Sequence, residues 1–171
     1  TAFLLHGYYD HAGLYGHLIR QCLALGYSVV IMDLPGHGLS SGKPASIGSF
    51  EEYSEALESV LELAAKLPRP WVGIAQSTGC AVIMDSLLHR KLDERFTLVH
   101  YVLLCPLLYP VGWSLSRYVF YLTRSFLPGI RRSFARNSHD DSFLRFLREH
   151  DCLQARTLPT AWVAAMADYQ Q

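Results

Sequence analysis

The chain has 171 residues, half of them hydrophobic and 12% aromatic, enough for one domain with a substantial core and too little for two. Fifteen basic side chains balance fifteen acidic ones, which gives no footing for a nucleic-acid binder or an acidic tail. Cys22, Cys80, Cys105 and Cys152 stand far apart among apolar neighbours, without the Cys/His spacing of a metal site. They read as reduced, buried thiols of a cytoplasmic protein, a disulfide in a secreted enzyme being the alternative.

In chain order, "TAFLLHG" opens with a short apolar strand that ends at His6-Gly7. Residues 11–25 read as a helix, and "YSVVIMD" is a second buried strand ending at Asp33. The stretch "LPGHGLSSGKPASIGS" is loop by its Gly, Ser and Pro content. Ser49 with Glu52 three residues on makes a capping box, and Phe50, Tyr53, Leu57, Val60, Leu61, Ala64 and Leu67 follow at helical spacing. "PWVGIA" is the third strand, residues 78–91 a helix, and "TLVHYVLLCP" a fourth strand stopped by Pro106. After Pro110 only helices are expected, over 113–127, 139–149 and 157–169. The first four strands are apolar almost throughout and alternate with helices, the pattern of a parallel sheet covered on both faces. The fold class is therefore α/β, with residues 1–106 as its core and 107–171 as an inserted helical layer. The stretch from Leu98 to Leu108 is too short to span a membrane.

Ligands of an open parallel sheet bind beyond the carboxyl ends of its strands. Three such ends are unusual here: His6-Gly7-Tyr8, Asp33 through Gly42, and Gln76-Ser77-Thr78-Gly79. A sharp strand–Ser–helix turn holds a hydroxyl above the sheet and aims the first helical N–H groups at whatever bonds to it. Such a turn needs small residues two before and two after the serine, and Ala75 and Gly79 supply them. The competing reading of Ser77 is an ordinary helix N-cap. The glycines of "PGHGLSSG" do not make a dinucleotide fingerprint, because Gly36, Gly38 and Gly42 have the wrong spacing and the helix starts only near Ser49. His37 reads as a structural turn residue.

Taken together, "HGYYDHAGLY", "DLPGHGLSSG" and "AQSTG", in this order, resemble the α/β-hydrolase superfamily. The resemblance is nearest to its monoacylglycerol lipase, lysophospholipase and serine aminopeptidase-like branch. It covers residues 1–106 well and the helical remainder loosely, as a variable cap. By position it implies Ser77 as nucleophile, with the backbone N–H groups of Tyr8 and Thr78 as the oxyanion hole. His6, Gly7, Gln76 and Gly79 would support the site, His6 as a hydrogen-bonded loop post and not as a base. Gln76 stands where many relatives carry His. The resemblance implies hydrolysis of a carboxylic ester, lipid or otherwise, without metal or cofactor. A peptidase or thioesterase on the same fold, or a non-catalytic binding protein, are the other readings.

A serine needs a histidine and an acid to activate it, and in this fold both follow later strands. His89 lies twelve residues along the helix from Ser77, about 18 Å by helical rise. His100 lies within a strand, and His139-Asp140-Asp141 and His150-Asp151 fall in the helical layer. Asp168 is on the last helix. The expectation is thus a piece of a longer hydrolase, cut at both ends and inactive alone; a rewired triad through His139 or His150 is the alternative. Between Cys105 and Ser138 stand Arg117, Arg124, Arg131, Arg132 and Arg136 with no acid, interleaved with aromatics. Two readings stay open for them: a lid that meets lipid headgroups or an anionic substrate, giving peripheral membrane contact, or a solvated face over an apolar cap.

Overall fold

Residues Ala2–Leu5 form β1, and the alternation of their side chains divides the core in two. Ala2 and Leu4 pack with Cys22, Leu18 and Ile19, whereas Phe3 and Leu5 join the larger cluster around Trp71, Leu57 and Ile83. The computed structural model describes residues 1–134 and 136–170. β1 lies between β2 (Val29–Met32) and β3 (Trp71–Gln76), and β4 (Leu98–Leu104) adds to the far side of β3. All three pairings are parallel, in the order β2-β1-β3-β4. Leu5 stands opposite Met32 and Ala75, and Gln76 opposite Leu104. This register brings the residues after each strand, His6, Asp33, Ser77 and Cys105, to one edge of the sheet.

Helices cover both faces of β1 and β3, but edge strand β4 departs from the expected double cover and leaves Val99, Val102 and Leu104 exposed. α1 (Gly16–Ala24) lies over Ala2 and Leu4, while α2 (Phe50–Leu63) and α3 (Thr78–Arg90) lie over Phe3 and Leu5. At the start of α2 the Glu52 carboxylate accepts from the Ser49 N–H at 3.2 Å, and Phe50, Tyr53, Leu57 and Leu61 are buried beneath. Ser54 donates to Asp85 at 2.6 Å, tying α2 to α3. Glu58 is buried and meets both Arg90 and Arg95. The hydrogen bond from Arg90 holds its carboxyl below the usual value against the effect of burial, and Arg95 adds to this.

Two elements in this half differ from expectation. Residues 11–25 divide into a 3-10 turn over Ala12–Tyr15 and α1 itself. A short helix, α4 (Leu92–Phe96), lies between Lys91 and Thr97, whose left-handed backbones (φ 54° and 52°) set it apart from α3 and β4.

The second half carries α5 (Trp113–Thr123), α6 (Asp141–Glu149) and α7 (Thr160–Tyr169). It also holds strands, contrary to the sequence reading: β5 (Gly129–Arg131) pairs antiparallel with β6 (Thr157–Pro159). Three residues are too few to show an alternating pattern, and the partners are far apart in sequence. A Cβ on Gly129 would fall 2.8 Å from the Leu158 carbonyl oxygen, so the close pairing needs a glycine there. The helix expected over 157–169 starts only at Thr160, because 157–159 are in β6. Trp113, Phe120, Trp162 and Met166 belong to the same apolar cluster as Phe3 and Trp71. The four thiols are free; Cys22 and Cys80 are buried, but Cys105 and Cys152 are exposed, since both sit in loops outside the packed faces. Among the described residues no helix is long and apolar enough to cross a membrane.

Candidate active site

Ser77 occupies the single residue between β3 and α3, with φ 50° and ψ −112°. A side chain rarely adopts that conformation, and it persists only where its surroundings enforce it. Here the Ser77 N–H donates to the Leu104 carbonyl at 3.0 Å, and its own carbonyl accepts from Cys80 at 3.0 Å and Leu107 at 3.2 Å. Gly79 lets α3 begin directly over the end of β1: a Cβ there would lie 2.6 Å from the Leu5 carbonyl oxygen and 2.8 Å from that of His6. Ala75, two residues before the serine, is fully buried.

The turn after β1 faces this elbow. His6 is buried, and its two ring nitrogens are both engaged. The Leu34 N–H can only donate, so Nε2 accepts from it at 2.9 Å and Nδ1–H donates to the Gly7 carbonyl at 2.8 Å. Burial lowers the pKa of His6 to about 4, which keeps the ring neutral in this tautomer. It has no nitrogen left to serve as a base. Gly7 donates its N–H to the Tyr15 hydroxyl at 3.1 Å, and a Cβ on it would come within 2.1 Å of Gln76 Oε1. The Gln76 amide thus fills the space beneath the turn and is held by Tyr15 at 3.1 Å. Tyr8 is fixed through its side chain: the hydroxyl donates to the Ala45 carbonyl at 2.7 Å and the ring stacks on Trp162 at 3.9 Å. Among the described residues, neither the Tyr8 N–H nor the Thr78 N–H donates to any acceptor.

Ser77 lies in the wall of two cavities. One, of about 370 Å³, is polar and lined by Tyr9, Asp10, Gln76, Asn137, Arg132 and Arg148. The other, of about 400 Å³, is bounded by Thr78, Leu107, Pro110, Ile130, Leu158 and Trp162, and Arg131 and Arg132 line it as well. A third, apolar space of about 260 Å³ around Val119, Phe120 and Leu127 shares Ile130 and Leu158 with the second.

Burial raises the pKa of Asp10 to about 6, against the Tyr15 hydroxyl bond and the Arg132 charge that pull it down. Ionisation is therefore less favourable in the fold than in the unfolded chain. Stability from this group falls as pH rises from about 4 to about 6 and then levels. Asp10→Asn is expected to remove that slope and to stabilise the fold at pH 7 by about 2 kcal/mol. Urea denaturation at pH 4.5 and 7 checks this; an unchanged slope in the variant contradicts it.

A contact that the sequence did not reveal fastens the second half to the same turn. The His11 Nδ1 accepts from the Gly13 N–H at 3.2 Å, so Nε2–H donates to Asp151 at 2.9 Å, 140 residues away. Burial pulls the Asp151 pKa up, but the bonds from His11, Gln154 and the Leu153 N–H outweigh it and hold the carboxyl below its usual value. Arg132 donates to Gln154 at 2.6 Å and lies over the Tyr9 ring at 3.8 Å. His89 pairs with Asp85, and His100, His139 and His150 are exposed. Among the described residues, no histidine lines either cavity at Ser77. The sequence patterns at His139 and His150 thus do not converge on the serine, because both histidines flank α6 at exposed positions.

A parallel sheet whose third strand turns through a strained serine into a helix, opposite a glycine turn after its first strand, defines the α/β-hydrolase fold. The chain belongs to the serine aminopeptidase S33 family of that superfamily, whose sequence pattern matches residues 1–171. It is 35% identical over 80 residues to the monoacylglycerol lipase of Mycolicibacterium smegmatis, an alignment covering 44% of this chain and 29% of that one. It is 30% identical over 88 residues to phospholipase YtpA of Bacillus subtilis, covering 52% of this chain and 34% of that one. Its fold is similar to that of the Paleococcus ferrophilus monoacylglycerol lipase, with a TM-score of 0.76 and 23% identity over 99% of this chain and 65% of that chain. A Saccharomyces cerevisiae monoglyceride lipase, solved with a substrate analog, superposes with a TM-score of 0.77 at 15% identity, over 99% of this chain and 58% of that chain. The matches to the two curated relatives span about a third of their lengths.

Proposed function

We propose that the protein hydrolyses carboxylic esters of a single long acyl chain through an acyl–Ser77 intermediate. The observation that carries this is the position of Ser77, strained and half-buried, in the wall of an apolar cavity beside two unengaged N–H groups. In the proposed reaction Ser77 Oγ adds to the ester carbonyl while a histidine takes its proton. The N–H groups of Tyr8 and Thr78 stabilise the oxyanion, each contributing about 3 kcal/mol to lowering the barrier. The alcohol leaves with the proton returned by the histidine. Water then attacks the acyl-enzyme, giving the carboxylic acid and free Ser77. His6, Gly7, Gln76 and Gly79 hold the two turns at their spacing. Among the described residues no histidine lines either cavity at Ser77, and the proposed reaction draws the activating histidine and its acid from outside them.

Residues 107–171 would act as the cap. Its exposed Tyr118, Leu122 and Phe126 lie near Arg117 and Arg124, which supports contact with an anionic membrane surface by a protein located in the cytoplasm. The names of the two curated relatives support a lipid ester, and the apolar volume beyond Thr78 supports an acyl chain. One observation favours a second reading, a non-catalytic binding protein on the hydrolase fold: no described histidine lines either cavity at Ser77.

The test uses p-nitrophenyl decanoate and 1-decanoyl glycerol. The protein at its full native length is expected to release decanoate from both. The 171-residue chain alone is expected to do so no faster than its Ser77→Ala form, because a serine without a base is unreactive. A Ser77-dependent rate from the chain alone would overturn the external source of the base. No turnover by the native-length protein would favour the binding-protein reading.

A further inference from the structure

Ser77 lies between two spaces that share Tyr8, Tyr9, Arg132 and Ser133 in their walls but differ beyond them, one polar and one largely apolar, and an ester bound across it would put its acyl chain in one and its alcohol in the other. The chain belongs on the side of Leu107, Ile130, Leu158 and Trp162, which continues into the apolar space around Phe120 and Leu127. That leaves the alcohol for the cavity of Asp10, Gln76, Arg132 and Arg148.

Arg132 is unusual there. It is half-buried, and among the described residues it forms no ion pair. Its hydrogen-bond acceptors are neutral, Gln154 Oε1 at 2.6 Å and the Ala155 carbonyl at 3.3 Å, and both are taken by Nη1. Its guanidinium lies against two rings, Tyr9 at 3.8 Å and Phe134 at 4.3 Å. With the rings against it, the donors left are those in its plane, Nε and Nη2, for which no described residue is an acceptor. Arg148 lines the same cavity and likewise forms no described ion pair. Asp10 is the only acid among the described lining residues, and burial raises its pKa to about 6. The cavity therefore carries two guanidinium charges against one carboxylate. A half-buried guanidinium without a carboxylate partner is costly, and its planar donors match a phosphate.

Resting on the ester-hydrolase reading, we propose that this cavity takes a leaving alcohol bearing a phosphate, with Arg132 as its principal ligand and Arg148 as its second. The substrate is then a single-chain lysophospholipid in preference to a neutral monoacylglycerol. Bond changes are those of ester hydrolysis; the phosphate stays on the departing alcohol.

Binding is measured on the Ser77→Ala form of the native-length protein, which does not consume the ligand. The probes are two ether lipids of one chain length, 1-O-hexadecyl glycerol 3-phosphate and 1-O-hexadecyl glycerol, with glycerol 3-phosphate as the chainless control. The phosphate lipid is expected to bind at least about tenfold more tightly than the neutral one, the scale of one charge-assisted hydrogen-bond pair. Arg132→Gln in the same background should bring the two within about threefold, and Arg148→Gln should narrow the gap partway. Where Arg132→Gln does not fold, the Arg148→Gln variant, altered at an exposed position, decides. Equal binding of the two lipids, or a gap that both substitutions leave intact, would overturn the proposal. Glycerol 3-phosphate binding as tightly as the phosphate lipid would overturn it in favour of a free phosphate ester. Turnover of neutral glycerides without phosphate preference defeats this proposal and spares the hydrolase reading. Phosphate preference without any ester turnover does the opposite.

Discussion

Alanine at position 77 is expected to lower ester turnover by the native-length protein by about 10⁴-fold or more, with the residual rate coming from binding and the oxyanion donors. The fold should tolerate the change. Ser77 contributes backbone hydrogen bonds to Leu104, Cys80 and Leu107, all of which alanine retains, and no side-chain cap bond at α3. Thermal unfolding should therefore shift little while turnover collapses. This pairing separates a nucleophile from the N-cap role weighed against it, since loss of a cap would cost about 1 kcal/mol of stability and leave chemistry alone. An unfolded variant, or one that turns over esters at the normal rate, would count against Ser77 as nucleophile.

Gly79→Ala should produce the largest loss of stability of any single methyl addition near the site. The added Cβ would stand 2.6 Å from the Leu5 carbonyl oxygen, 2.7 Å from the Leu5 Cβ and 2.8 Å from the His6 carbonyl oxygen. Backbone atoms of β1 cannot rotate away as a flexible side chain would, so α3 must lift from the sheet. The expected cost is about 3 kcal/mol, the upper end for overpacked sites. Lifting α3 would also move the Thr78 N–H relative to that of Tyr8, so kcat should fall more than KM rises. Gly16→Ala is the control: its Cβ would meet only the Arg20 tip at 3.5 Å, in a helical backbone, and stability should change by less than about 1 kcal/mol. Chemical denaturation of the three proteins tests the contrast. Equal stabilities for Gly79→Ala and Gly16→Ala would contradict the packing account of the elbow.

The parallel sheet could be read from the sequence because burial on two faces makes "AFLL", "VVIM" and "WVGIA" apolar without alternation, a signal contained within each strand. The serine turn was readable for a related reason: its steric demands fall on Ala75 and Gly79, two residues either side. The antiparallel pair of Gly129–Arg131 with Thr157–Pro159 was not readable, since three-residue strands carry no period and the glycine that permits their approach looks like any loop glycine. The His11–Asp151 bond escaped for want of a local mark as well. The alternative of a rewired triad uses His150, whereas the structure turns that histidine to solvent and the adjacent Asp151 inward to a partner 140 residues earlier. The role of Arg132 was half visible. Its place in an acid-free run of arginines was plain, but only folding half-buries it in the walls of both cavities at Ser77, while exposed Arg131 lines one of them and Arg117 and Arg124 line neither.

The most direct test of the central claim is the site of covalent labelling by an alkyl fluorophosphonate, which reacts with an activated serine and mimics the tetrahedral intermediate. The native-length protein would be treated, digested and mapped by peptide mass spectrometry. The expected adduct lies on Ser77, in the peptide containing "AQSTG", and is absent from the Ser77→Ala form. An adduct on another residue, or none from a protein that still hydrolyses esters, would contradict the assignment of Ser77 as the nucleophile.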